Sequence, residues 1–250
     1  VRQSNIYTPQ KINLNTKLEL DQHAAQHLGK VLRAQKGDPV RLFNGDGHFY
    51  EALITDVSKK QVNVQIVAAI KSENESPLHT HIGIVMSRGD RMDYAIQKSV
   101  ELGVSRITPL TSARCEVKLS AERQIKRIQH WRQVAISACE QSGRASVPNI
   151  ESIVSVETFI NQKIEGTLGL VFHHRDTQAL TDIQPIPKQV DLLIGPEGGL
   201  SESEIKTALG KGFKACTLGG RVFRTETAPV AALSVLQWLW GDFNAQGNEP

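Results

Sequence analysis

Within six residues the chain sets two guanidinium groups (Arg221, Arg224), a hydroxyl (Thr225) and a carboxylate (Glu226) directly after Leu218-Gly219-Gly220. Such groups are costly to crowd together unless they pair with one another or grip a ligand. A guanidinium can stabilise an oxygen that becomes negative during a reaction, and a carboxylate can take up a proton. The structural alternative is an Arg-Glu pair with Thr225 as a helix cap and Glu226 in the helix's first turn. A second small-residue turn, Gly195-Pro196-Glu197-Gly198-Gly199, lies close by in the chain. Each turn follows a short apolar strand-like run and precedes a helical pattern, the placement of a ligand-binding turn at a strand's C-terminal end. Neither has the Lys-Ser/Thr of an ATP-binding loop or the glycine spacing of a dinucleotide fingerprint. A nucleotide-dependent enzyme on an open α/β sheet is disfavoured further because the first such loop comes only at residue 195.

The elements that must position these residues fall into two groups. Residues 1–72 contain strand patterns at 5–7, 40–43, 48–56 and 62–68, with Asn44-Gly45-Asp46-Gly47 as a hairpin turn. Asp21 is placed to cap a helix over 22–33, in which Ala24, His27, Leu28 and Val31 share a face. Residues 73–79 are expected to be a linker, and 80–243 alternate strands and helices: strands at 81–86, 107–110, 167–172, 190–194 and 215–218, helices over 91–102, 121–139 and 225–240. In the helix over 91–102, Met92, Ala95, Ile96, Ser99 and Val100 form the buried stripe. Ser201 and Glu204 form a capping-box pair. The last helix is so apolar that it must be buried in the core or against a second subunit; 244–250 read as a polar tail. Pattern alone suggests a mostly parallel, doubly wound α/β sheet behind a small β-rich module.

Composition narrows the field without deciding it. Of 250 residues, 40% are apolar and 22% charged, ordinary for a globular protein. The net charge of +3 is too small to imply nucleic acid, but residues 86–132 carry ten basic and five acidic side chains, so the surplus is concentrated there. Three widely spaced cysteines read as free thiols in a reducing compartment. No run approaches the roughly 18 apolar residues of a membrane span, and no charged leader with an apolar run begins the sequence, so a cytoplasmic location is expected. His23 and His27 are spaced i, i+4, but without a third ligand they indicate no metal.

Together with Gln97-Lys98-Ser99-Val100-Glu101-Leu102-Gly103, the two small-residue turns give a sequence that resembles the bacterial small-subunit ribosomal RNA uridine-N3 methyltransferases of the SPOUT superfamily. Thr111-Ser112-Ala113-Arg114-Cys115 and Glu140-Gln141-Ser142-Gly143-Arg144 with Pro148 extend the likeness; Ala113 stands where relatives carry glutamate. The resemblance implies a PUA-like RNA-binding β-barrel in the first 72 residues and a SPOUT α/β domain with a deep trefoil knot after it. It implies S-adenosyl-L-methionine as methyl donor, enclosed by Phe172, His173, Ile194, Gly195, Pro196, Glu197, Gly198, Gly199, Leu218, Gly219, Arg221, Val222, Phe223 and Arg224. Arg224 is the first candidate for charge stabilisation, Glu226 or Glu197 for proton acceptance, and Arg114 for a phosphate or cofactor-edge contact. Arg2, Arg33, Arg88, Arg114 and Arg144 are expected to meet RNA. The implied substrate is 16S ribosomal RNA in the assembled 30S subunit, with uridine 1498 as the family's target, and the implied assembly is a homodimer through the SPOUT domain. The rival from another class is a non-catalytic RNA-binding or ribosome-assembly protein with a degenerate cofactor site, under which the intact glycines of both loops have no explanation.

Overall fold

A computed structural model describes residues 4–58, 61–172 and 178–244. The chain divides into two compact units, one of residues 1–75 with 136–147 and one of residues 76–135 with 148–250.

The first unit carries β1 (Asn5–Tyr7), β2 (Lys17–Glu19), α1 (Gln22–Gln26), β3 (Pro39–Phe43), β4 (His48–Val57) and β5 (Val62–Lys71) in one five-stranded sheet ordered β1-β3-β4-β5-β2. Alternation decides which face is buried: Val62, Val64 and Ile66 of β5 point inward with Ile6, Leu42 and Ile54, while Asn63 and Gln65 stay partly exposed. Asp21 caps α1 as its position suggests, accepting from the amides of His23 and Ala24 at 3.0 and 3.2 Å. The single helix expected over 22–33 instead gives way after Gln26 to one π-helical turn, His27–Val31. β2 is not among the strands expected from sequence; its Leu18 is only partly buried between two exposed charged residues.

The second unit is built on β6 (His79–Val85), α2 (Arg91–Glu101), β7 (Arg106–Thr111), α3 (Ala121–Ser142), β8 (Asn149–Ile150), β9 (Val154–Ser155), α4 (Val156–Asn161), β10 (Leu168–Phe172), β11 (Gln189–Ile194), α5 (Glu202–Gly210), β12 (Phe213–Cys216) and α6 (Thr227–Trp240). The last residues of α3, from Ile136, belong to the first unit. The sheet runs β12-β10-β11-β6-β7-β8, with β9 also on β7, and every pair is parallel. A sheet covered on both faces needs near-continuous apolar strands, and residues 190–194 of β11 and 82–85 of β6 are buried without a break. One polar group interrupts that run: Asp191 lies 3.2 Å from His81 Nδ1, and the other ring nitrogen is 2.7 Å from Thr108 Oγ1, which joins β11, β6 and β7.

Met92, Ala95, Ile96, Ser99 and Val100 are the buried residues of α2, as their spacing requires. Pro229 is accommodated in α6 because it sits in the first turn, where its missing N–H has no intrahelical acceptor. The far end of α6 is fixed by Gln237, whose amide donates to the Leu102 carbonyl at 3.0 Å and accepts from Ser76 Oγ at 2.6 Å. No helix among the described residues is long and apolar enough to cross a membrane.

All three thiols are free, and burial pushes those of Cys139 and Cys216 up to about 12. Both thiols are neutral in either state well below pH 9.0, the ordinary value from which the shift is counted. Between there and about 12 the unfolded chain ionises first, so stability falls as pH rises through that window. Iodoacetamide at pH 8.5 is expected to label the half-buried Cys115 in native protein and all three only in denaturant; rapid native labelling of Cys139 or Cys216 would contradict this.

Candidate active site

Because β12, β10, β11, β6 and β7 are neighbours and parallel, their C-terminal ends share one edge of the sheet. The segments that leave that edge are the two small-residue turns, the end of β10 at Phe172, Ser87 beyond β6, and Ser112 with Arg114 beyond β7. Parallel topology thus brings Phe172, Ile194 and the segments 195–199 and 218–226 to one edge of the sheet, where open α/β sheets hold their ligands.

The turn after β11 is held from several sides. Gly199 adopts φ +68°, a left-handed conformation natural to glycine, and its amide donates to the Pro196 carbonyl at 2.8 Å. The capping box is complete, with the Ser201 amide 2.7 Å from Glu204 Oε2 and the Glu204 amide donating back to Ser201 Oγ. The other oxygen of Glu204 accepts from the Ala113 amide at 3.0 Å, and Arg114 Nη1 donates to the Gly198 carbonyl at 2.9 Å. Arg91, the first residue of α2, pairs with Glu197 at 2.9 Å. Three contacts thus tie one loop to the segments following β6 and β7. The sequence showed the capping box but not that Glu204 has a second client, nor that Arg91 reaches across.

The segment after β12 is open. Thr217 Oγ1 donates to the Gly219 carbonyl at 3.0 Å, Val222 is 98% exposed, and Arg221 and Arg224 are exposed. The Arg224 carbonyl accepts the Thr227 and Ala228 amides, both at 3.0 Å, and so begins α6 by backbone alone. Neither structural alternative read from the sequence holds here: among the described residues no ion pair joins Arg221 or Arg224 to Glu226, and Thr225 makes no cap. Thr225 is 3% exposed with Oγ1 unpartnered, and Glu226 has one carboxylate oxygen buried and unpartnered. Ser87 and Ser112, at the ends of adjacent strands, also hold buried hydroxyls without partners. Buried polar atoms are normally satisfied. Four such atoms at one sheet edge, beside two uncommitted guanidinium groups, mark a surface that expects a polar ligand.

Other expectations change. Arg144 is 6% exposed and holds Glu75 at 2.6 Å, so its guanidinium is taken up inside the first unit rather than offered to RNA. Glu197 is engaged by Arg91, leaving Glu226 as the carboxylate with an idle oxygen. Arg88 pairs with Glu116 at 3.2 Å on the surface, and Arg33 is exposed with φ +52°. Lys98 and Glu101 form the anticipated pair at 2.8 Å. Arg2 and His173 lie outside the described residues, as do residues 245–250 of the expected tail. No cluster among the described residues could hold a metal ion.

Residues 74–237 match the family model of an RNA methyltransferase domain, and residues 20–67 that of an RNA methyltransferase PUA domain. The ribosomal RNA small subunit methyltransferase E of Buchnera aphidicola (from Acyrthosiphon pisum) is 34% identical over 95% of this chain and 94% of its own length. The chain belongs to the ribosomal RNA small subunit methyltransferase E family. The Bacillus subtilis member is 30% identical over 92% of this chain and 93% of its own. Among solved structures, the Neisseria gonorrhoeae family member bound to S-adenosyl methionine is 37% identical with a TM-score of 0.91, covering 97% of this chain and all of that one. A Legionella pneumophila protein assigned as a methyltransferase, in complex with SAM, is 42% identical with a TM-score of 0.93 and the same coverage. The α/β domain and the N-terminal PUA-like domain anticipated from the family's motifs are therefore those of this chain, and the chain is an RNA methyltransferase.

Proposed function

We propose that this methyltransferase transfers a methyl group from S-adenosyl-L-methionine to N3 of a uridine in 16S ribosomal RNA of the 30S subunit, at the family's target, uridine 1498. The observation that carries the reading is the set of unpartnered polar groups at the sheet edge, Thr225, Glu226, Arg221 and Arg224, facing the same edge as a pinned glycine turn. Bound there, the cofactor supplies an electrophilic methyl on a sulfonium. The backbone around Ile194, Gly195, Pro196, Gly198 and Gly199 and around Leu218, Gly219, Val222 and Phe223 holds it, with Phe172 at the neighbouring strand end. These fit the group, since an adenine needs a flat slot with backbone donors and acceptors at its rim.

The chain's own task is orientation and charge. N3 of uracil is an imide nitrogen, protonated at neutral pH, so attack requires an aligned base and help for the negative charge left on O2 and O4 as the proton departs. Arg224 supplies the guanidinium for that oxygen, and the idle oxygen of Glu226 accepts the proton. Arg114 acts through the Gly198 carbonyl and Arg91 through Glu197, so both position the cofactor turn. The target base must be unpaired or flipped out to reach it.

The first unit, residues 1–75 with 136–147, serves as the RNA-binding module, and the second, in place of the expected boundaries of a 73–79 linker and an 80–243 domain, begins at residue 76 and serves as the SPOUT domain. The trefoil knot is supported by connectivity: β12 lies at one border of the sheet, yet α6 packs on α2, the connection between β6 and β7, so the chain must pass the loops leaving β10 and β11. A homodimer is supported by the second apolar face of α6. Its Val230, Val235 and Leu239 remain half-exposed and Trp238 is 57% exposed, with Phe243 47% exposed just beyond the helix end. A cytoplasmic site of action follows from an rRNA substrate.

Calorimetric titration is expected to show S-adenosylmethionine binding, and digestion of treated small subunits followed by mass spectrometry to show N3-methyluridine at one 16S position. Absence of binding, or methylation of another base, would overturn the reading.

A further inference from the structure

The first unit contains a cleft of about 400 Å³, lined by Ser4, Asn5 and Ile6 from β1 and its entry, by His27 and Leu32, and by Ser137, Glu140 and Gln141 of α3. This volume is within the roughly 300–1,000 Å³ of small-molecule sites. Its walls combine apolar surface from Ile6 and Leu32 with an imidazole, hydroxyls and amides, a mixture that suits a flat heteroaromatic ring with polar edges.

Three independent features show that the cleft is built. Asn5 is fixed by its Nδ2, which donates to the Glu140 carbonyl at 3.2 Å, and Glu140 Oε1 accepts the Tyr7 amide at 3.0 Å. That arrangement settles which way the amide points and leaves Asn5 Oδ1 buried with no partner. Asn5 lines the cleft, and an acceptor left without a partner on a lining residue calls for an N–H donor. The helix here also departs from regularity: His27 opens the π-helical turn and Leu32 closes it, its amide donating to the His27 carbonyl at 3.1 Å. Single π turns are uncommon and concentrate where side chains must be aimed. Arg33, the next residue after the lining Leu32, takes φ +52°, a left-handed conformation unfavourable for an arginine, and is exposed.

We infer that this cleft takes a nucleobase of the RNA substrate, with Asn5 Oδ1 accepting from the base's N–H, His27 and Leu32 against its face, and Arg33 at the adjoining phosphate. The inference rests on the rRNA methyltransferase reading above, which it deepens: the first unit engages a single unstacked base besides the backbone, as sequence-specific RNA recognition generally does.

The test uses the 250-residue chain and Ser137→Tyr, which plugs the cleft from an exposed helical position. Each of the four nucleoside 5′-monophosphates is titrated while the His27 ring and Asn5 amide are followed by NMR. Shifts confined to the lining residues in wild type and lost in Ser137→Tyr are expected; no shift with any of the four overturns the inference. In methylation assays on small subunits, Ser137→Tyr and His27→Ala are each expected to raise KM for RNA about tenfold, the scale of losing one stacked base. Their kcat and S-adenosylmethionine affinity should be unchanged. Unaltered KM in both variants, with wild-type circular dichroism, also overturns it. Nucleotide binding without any methyl transfer by wild type would instead overturn the reading of function and leave the cleft's role standing.

Discussion

Arg224→Ala is expected to lower methyl transfer to 16S RNA by about 10²- to 10³-fold, the scale of removing one preorganised charge donor from a reacting oxygen. The fold should be nearly unaffected, because the part of Arg224 that supports structure is its carbonyl, which caps α6 in any side chain's presence. Its guanidinium is exposed and makes no ion pair among the described residues, so truncation leaves no buried charge alone. Arg224→Lys should recover only part of the lost rate, since a compact, strongly hydrated ammonium does not reproduce the planar guanidinium's fixed donors. Single-turnover methylation at saturating cofactor, beside thermal melts and cofactor titrations, separates these effects. Full activity in Arg224→Ala would remove this residue from the chemistry, and a matching loss of melting temperature would reassign it to structure.

What could be read without coordinates follows from how local each feature is. The stripe of α2, the Asp21 cap and the Ser201-Glu204 box are decided within one or two helical turns, and the structure keeps them all. The two small-residue turns were legible as strand-end turns, because such residues follow an apolar run and precede a helical pattern in each case. That both leave the same edge of the sheet was not, since it depends on the out-of-sequence strand order β12-β10-β11. The same limit hid the tie from Glu204 to Ala113 and the capture of Glu197 by Arg91, partners separated by 91 and 106 residues. Arg144 shows the opposite failure. An arginine in a recognised motif reads as a nucleic-acid contact, but only packing reveals that Glu75 is beside it and solvent is not. α4 escaped because six residues hold too short a period to recognise, although its Ser155 cap bonds the Thr158 amide at 3.0 Å.

Gly195→Val and Gly198→Ala together distinguish a turn that merely packs from one that receives a cofactor. A Cβ on Gly195 would lie 3.1 Å from Leu200 Cγ and 3.2 Å from the Leu200 amide nitrogen, so the valine branch must displace the backbone leading into α5. That backbone has little freedom, being held by the capping box, by Arg114 on Gly198 and by Arg91 on Glu197. Gly195→Val is therefore expected to cost about 1–3 kcal/mol of stability. It should also weaken S-adenosylmethionine binding at least about 100-fold, or roughly 2.7 kcal/mol. Gly198 is different: a Cβ there meets only Arg114, at an ordinary 3.8 Å, so alanine fits the free protein. If cofactor lies against this turn, the added methyl occupies space the ligand needs, and Gly198→Ala loses affinity about tenfold with its melting temperature unchanged. A purely structural turn predicts the same stability loss at position 195 and none at 198, but cofactor affinity indifferent to both substitutions once folding is restored at lower temperature. Calorimetric titration of the two variants below their melting temperatures reads the difference directly.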